Sequence, residues 1–277
     1  MSLAFPIPRI AASRLLMAAT ALLVLAGCVG KGPLGSTPGA RAEPEIITDS
    51  DESPGRKRAR IRLELAMGYF EQNKNTVALD EIKQALSADP NYSDAYNLRG
   101  LVYMRLDDPA LAEDSFRRAV ALNPRDGNAM HNYGWLLCQQ KRYADASQQF
   151  TRALDTPGYT DRTKTLMTQG VCQMQAGQKA EAEKSLTQAY ELDAGNPVIG
   201  YNLALLLSQR QEWTRAQFYI RRVNNSQAAN AESLWLGVKI ERQLNNRDSV
   251  ASLGGQLQRR FPQSKEAQAY ERGNFND

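Results

Sequence analysis

Small residues recur every 34 positions along most of this chain. Ala78, Ala112 and Ala146 form one series, and Ala85, Ala119 and Ala153 form a second in the same register. Gly100 and Gly134 keep the spacing, as do Pro90 and Pro124. One slip of two residues follows: Gly134 to Gly170, Ala146 to Ala182 and Ala153 to Ala189 are each 36. The period then resumes, with 34 from Gly170 to Ala204, 34 from Ala182 to Ala216 and 33 from Ala204 to Gly237. The slip falls at Asp155-Thr156-Pro157-Gly158-Tyr159, turn residues that absorb an insertion. A period of this length prescribes a stack of like units, because one unit cannot bury its apolar face alone. Ala, Leu, Gln, Arg and Glu are abundant, so the units are expected to be helical.

Within the period, small and large residues take fixed places. The second unit reads Tyr96, Gly100, Tyr103, Ala112, Phe116, Ala119, Pro124, and the third Gly134, Leu137, Ala146, Phe150, Ala153. The first gives Ala66, Tyr69, Ala78, Ile82, Ala85, Pro90; the fourth Leu166, Gly170, Ala182, Leu186, Ala189; the fifth Leu203, Ala204, Leu207, Ala216, Ile220. A sixth is degenerate: Leu236, Gly237, Ile240, Ser249, Leu253, then Phe261-Pro262. This pattern resembles the tetratricopeptide repeat. It implies an all-α fold, a solenoid of six helix pairs in a right-handed superhelix with a concave inner surface. Gly or Ala lets the two helices of a pair approach, large residues fill the space between pairs, and Pro closes the second helix. The repeats are placed at about 59–92, 93–126, 127–160, 163–196, 197–229 and 230–263, with a C-terminal cap after them, in a domain spanning 56–277.

The first residues are of another kind. Arg9 and Arg14 precede an apolar run from Leu15 to Ala26, broken by Thr20. A run of about 12 is too short to cross a bilayer, which takes about 20, and matches the core of a secretory signal. It ends in Leu25-Ala26-Gly27-Cys28, which resembles the bacterial lipobox. The expectation is a lipoprotein signal peptide over 1–27 and lipidation of Cys28. Several acyl chains anchor a protein far more firmly than one. Val29, where Asp would favour inner-membrane retention, points to the outer membrane, facing the periplasm. Residues 29–55, rich in Gly, Pro, Ser and Thr, carry no helical period and are expected to form a flexible tether with a reach of about 30 Å.

Composition narrows the chemistry. Lys+Arg 34 against Asp+Glu 30 leaves +4, too little for a nucleic-acid footprint. One His and three Cys argue against a zinc module or haem. There is no G-x-x-x-x-G-K-[ST] loop and no H-E-x-x-H pair. His131 has no conspicuous acidic partner in sequence and reads as a groove or packing residue. No catalytic residue, metal, cofactor or small-molecule substrate is expected, and the protein is read as a non-enzyme. Arg56, Lys57, Arg58, Arg60 and Arg62 open the first repeat and read as a solvated helix end.

Function then falls to the inner face. In this repeat class the first helix of each pair lines it. The positions assigned to it are Leu63, Met67 and Phe70 in repeat one and Asn97, Leu101, Met104 and Arg105 in repeat two. Repeat three contributes His131, Trp135 and Cys138, and repeat four Met167, Val171 and Met174. A Met-rich, aromatic groove of this kind accepts an aliphatic or amphipathic peptide. Asn132 and Asn202, at position six of their repeats, match the asparagines with which peptide-binding relatives hold a ligand backbone. The full basic set of a carboxylate clamp is missing. Cys138 and Cys172 lie 34 apart on neighbouring first helices; in an oxidising compartment the pair suggests a disulfide, with two buried thiols as the alternative.

Taken whole, the chain resembles the PilF/PilW pilotins, the lipoproteins of type IV pilus biogenesis. The resemblance rests on the lipobox, the tether, the six repeats, Arg259-Arg260-Phe261-Pro262, and above all Asn132-Tyr133-Gly134-Trp135-Leu136-Leu137-Cys138 with Gly170-Val171-Cys172. Asp126 and Asn128 fit as well, and the paired cysteines belong to the family's third and fourth repeats. It implies binding of the type IV pilus secretin subunit, its localisation to the outer membrane and the assembly of its multimer. An outer-membrane adaptor for peptidoglycan hydrolases is the alternative reading.

Overall fold

A computed structural model describes residues 52–275. The expected signal segment, Cys28 and nearly all of the tether lie outside the described residues. Within them, twelve helices form six antiparallel pairs. These are α1 (Pro54–Glu71) with α2 (Asn75–Ala88), α3 (Ser93–Arg105) with α4 (Pro109–Leu122), and α5 (Gly127–Gln139) with α6 (Tyr143–Leu154). They continue with α7 (Arg162–Gln175) and α8 (Lys179–Leu192), α9 (Pro197–Gln209) and α10 (Trp213–Asn224), and α11 (Ala231–Gln243) and α12 (Arg247–Arg260). A thirteenth helix, α13 (Lys265–Glu271), packs on α11 and α12. The tetratricopeptide solenoid is the fold.

Several helix starts and turns have a local cause. Ser53 caps α1, its hydroxyl accepting from the Arg56 amide at 3.1 Å, and Pro54 follows in the first turn. Helix therefore begins two residues inside the stretch read as tether through residue 55: Ser-Pro-Gly is turn chemistry by composition but also a helix start. The turn inside each pair needs one left-handed residue: Asn73 (φ 60°), Asp107 (57°), Lys141 (62°), Gly177 (76°), Gln211 (61°) and Asn245 (58°). These are 34, 34, 36, 34 and 34 apart, so the backbone repeats the sequence period and its slip. Between pairs, Asp89, Asn123 and Asp193 each turn the chain by accepting from the amide two residues on, Asn91 at 2.9 Å, Arg125 at 3.1 Å and Gly195 at 3.1 Å.

The periodic small residues are where helices touch. Ala78, Ala112, Ala146, Ala182 and Ala216 are completely buried, as are Ala85, Ala119, Ala153 and Ala189. A Cβ on Gly100 would stand 2.5 Å from Phe116 Cε1, and one on Gly134 would stand 2.8 Å from Phe150 Cε1. The large residue of the second helix thus fills the space left by the missing side chain of the first. At the slip, Tyr159 lies against Gly127 and its hydroxyl meets Thr165 Oγ1 at 2.7 Å. His131 Nδ1 meets the same oxygen at 2.9 Å, so the two extra residues are tied into the interior.

Curvature follows from which helices meet. The first helices contact one another in order, α1 with α3, α3 with α5, α5 with α7, α7 with α9 and α9 with α11. Among the described residues no second helix reaches the second helix of the next pair. Backbones that close up on one side and spread on the other bend the stack. The first helices therefore form its inner face.

Candidate functional site

The amino-terminal inner face is less greasy than its spacing suggests. Of the residues assigned to it, Met67 stands out at 48% exposed, and Arg105 is exposed as well. Phe70, Asn97, Leu101, Met104, Trp135, Met167, Val171 and Met174 are half-buried. Leu63, His131 and Cys138 are buried at 5%, 4% and 1%, which removes all three from the groove. Leu63 packs with Ala59, Ala66 and Tyr92 in the first core cluster. His131 is enclosed by Phe150 at 5.9 Å and bonded to Thr165. Burial, then the charge of Lys164, pushes its pKa down to about 4, so it is neutral and structural. The Arg105 guanidinium lies 3.5 Å over the Phe70 ring and donates to Asn73 Oδ1 at 3.2 Å, covering part of the apolar surface.

Polar groups link the inner helices directly. Asn132 Nδ2 donates to Asn97 Oδ1 at 3.0 Å, joining α5 to α3. Asn202 instead donates to the carbonyl of Val198 in its own helix at 2.8 Å. The two asparagines thus differ although they share a repeat position. Cys138 and Cys172 are bridged, with Cα atoms 5.9 Å apart, and staple α5 to α7 across the slip.

The carboxyl-terminal inner face holds a true hollow. About 470 Å³ lies between α9, α11 and α13, walled by Tyr201, Leu205, Trp235, Leu236 and Ala269. A second space of about 360 Å³ adjoins it and shares Leu205, Leu236 and Lys239. Trp235 stacks on Phe275 at 5.5 Å, so the residues after α13 form part of the wall. Glu232, Glu266, Lys239, Lys265 and Arg272 also face the space. Burial, then the charges of Glu232 and Glu266, push the Tyr201 phenol above its ordinary range, and all three residues line the same space. Tyr201 and Leu205 occupy the same positions five and nine that line the early repeats, so continuing that rule past the fourth repeat finds them. Trp235 takes position six, the place of Asn132 and Asn202, while Glu266, Arg272 and Phe275 obey no repeat position.

Behind this region, Glu241 is buried and accepts from Arg221 Nε at 2.6 Å, Gln217 Nε2 at 2.8 Å and Asn246 Nδ2 at 2.6 Å. Burial pushes its carboxyl up, but these hydrogen bonds outweigh burial and leave it below the usual range. Glu113 is held down in the same way by Arg142 and Tyr133, joining repeats two and three.

Comparison with known proteins agrees with this architecture. Tetratricopeptide repeat family models match residues 63–126, 100–160 and 163–196. The type IV pilus assembly protein PilF of Pseudomonas aeruginosa is 29% identical over 231 residues, 81% of this chain and 92% of that one. The solved structure of Pseudomonas aeruginosa PilF superposes with a TM-score of 0.72 at 28% identity, covering 80% of this chain and all of that one. The chain belongs to the PilF/PilW-type tetratricopeptide repeat proteins. A crystal structure of PilW, described as a widely conserved type IV pilus biogenesis factor, gives a TM-score of 0.70 at 29% identity over 76% of this chain and 97% of that one. The likeness to both structures spans the repeat array rather than one or two of its units. No helix among the described residues is long and apolar enough to cross a membrane.

Proposed function

We propose that this protein is a non-catalytic envelope lipoprotein that binds the type IV pilus secretin subunit through its inner face. It brings that subunit to the outer membrane and promotes assembly of the multimer, as pilus biogenesis and twitching motility require. The observation that carries the reading is the similarity to PilF across nearly all of that protein. Two features support it. The lipobox at Leu25–Cys28 supplies a membrane address in the sequence. The stacked first helices present a continuous curved face on which an extended or helical segment can lie.

The test is a deletion strain assayed for twitching motility and for monomeric against multimeric secretin. Loss of motility with secretin left as monomer supports the reading; normal multimer in the deletion strain overturns it. Complementation with Cys28→Ala separates address from grip: the multimer should form poorly and away from the outer membrane. On the inner face, Met67→Glu is the informative change. Leu101 and Trp135 are half-buried against the core, so a charge there would disturb the fold as well as the surface. Met67→Glu should weaken secretin capture while leaving the melting curve unchanged.

A further inference from the structure

The first repeat exposes what later repeats bury. Ile61 and Leu65 of α1 are 48% and 46% exposed. Ala95, Ala129, Thr165 and Ile199, which take the place of Ile61 in the next four repeats, are fully buried. Leu203 and Leu236, which take the place of Leu65 in the last two, are nearly so. In each later repeat the second helix of the preceding pair stands against the first helix. Among the described helices α1 meets only α2 and α3, so its seat for a preceding helix is open. The opposite end of the stack is closed by α13, which packs on α11 and α12 and leaves Lys265, Gln268 and Glu271 exposed. A terminal repeat with an apolar outer side invites association.

The open side of α1 is patterned for another helix. Arg58, Ile61, Leu65 and Gly68 follow one another by three, four and three residues, the spacing of a coiled-coil seam. A Cβ on Gly68 would meet nothing within 4 Å, so no contact in its own chain calls for a glycine there. Lys57, Glu64 and Glu71, seven apart, run along one edge of the seam. Lys57 and Glu71 are exposed and form no ion pair among the described residues. We propose that this side of α1 docks a second copy of the chain through an antiparallel contact with the copy's own α1. That arrangement sets Ile61 on Leu65 of the second copy, Arg58 over its Gly68 and Lys57 beside its Glu71, and the two-fold axis makes each contact twice. Glu64 and Arg62 meet their counterparts near the axis, but each already has a partner in its own chain, Arg60 at 3.3 Å and Glu81 at 2.9 Å. A parallel pairing would set Lys57 beside Arg62 instead. The polar outer side of α13 offers α1 no apolar mate, so the contact closes as a dimer rather than a head-to-tail stack. One helix face per copy covers less than the about 800 Å² per partner of a standard interface, so the dimer is weak and is favoured where copies are concentrated.

The test uses the full-length protein in membranes of a host without type IV pilus proteins, which keeps its outcome separate from that of secretin binding. Glu64→Cys places a thiol near the axis, and Lys83→Cys places one on the exposed side of α2. A short bismaleimide should join two copies through position 64 and not through position 83, with the chain lacking both changes as the blank. Adding Lys57→Glu should lower the yield of linked dimer about fivefold, and adding Glu71→Lys to that should restore it, because the reversed pair again attracts. Leu65→Glu should abolish the product; its side chain is nearly half exposed, so the melting curve should not move. Equal linking at both positions, no linking at position 64, or a product indifferent to the charge reversals would overturn the proposal.

Discussion

The inner face at α1, α3 and α5 and the inner face at α9, α11 and α13 are built from the same repeat but present different surfaces. At the amino-terminal end, side chains from equivalent positions stand side by side, and several lean into the core. The result is a shallow, partly apolar strip with Met67 at its crest and Arg105 folded over Phe70. At the carboxyl-terminal end a short extra helix stands where another pair would, and the space it fails to fill becomes the hollow. A second contrast concerns what holds each region. The middle repeats are joined by the Cys138–Cys172 bridge and a buried polar relay, whereas the far end depends on aromatic stacking and on the Glu241 hydrogen bonds.

Replacing the two inner tryptophans probes this contrast most strongly. Trp235→Ala should cost about 3–5 kcal/mol, because a buried ring is lost together with its stack on Phe275 and the seat of α13. Trp135→Ala, at a half-buried site, should cost about 1–2 kcal/mol. Urea melts followed by circular dichroism decide it, and equal costs would show that the cap adds nothing to the last repeat.

Cys138→Ala with Cys172→Ala comes next. Closing a loop of 34 residues should contribute about 3–4 kcal/mol in the chain-entropy account. Oxidised protein should therefore unfold at higher urea than the double variant, and reductant should remove the difference. Coincident curves would mean that the bridge does not form.

Acid sharpens the same contrast. His131, the chain's single histidine, has a folded pKa of about 4 against an ordinary 6.5. The unfolded chain accepts that proton first, so its stabilising contribution is complete above pH 6.5 and declines as pH falls from there towards 4. The full loss should be on the order of 3 kcal/mol, and His131→Asn should flatten the curve above pH 5. Below that, Glu241 and Glu113, both held low in the folded state, begin to lose theirs. The smallest effect is expected at the turn inside the fifth pair. Gln211 holds φ 61°, where Gly177 serves in the fourth, so Gln211→Gly should raise stability by about 0.5–1 kcal/mol. A loss there would mean that the Gln211 side chain makes contacts that outweigh its backbone strain.

Much of this was legible beforehand because it is local or periodic. The spacing of Ala, Gly and Pro marks every helix pair, since a small residue is needed wherever two helices of fixed geometry cross. The slip at Asp155–Tyr159 was visible as turn residues, but its attachment through Tyr159, Thr165 and His131 was not, because these three belong to different parts of two repeats. Leu63 and His131 show the limit of positional rules. A repeat position says which way a side chain starts, while its neighbours decide whether it ends in solvent.

By itself, the sequence determined the helical pairs, their order, the register of the stack and the likeness to a known family, because each depends on residues close in the chain or on their period. Tertiary structure decided which inner-face residues are covered, how the two asparagines at one repeat position differ, and that α13 borders a hollow beside Trp235. Those outcomes arise where elements distant in sequence compete for the same volume, and a volume has no period to read.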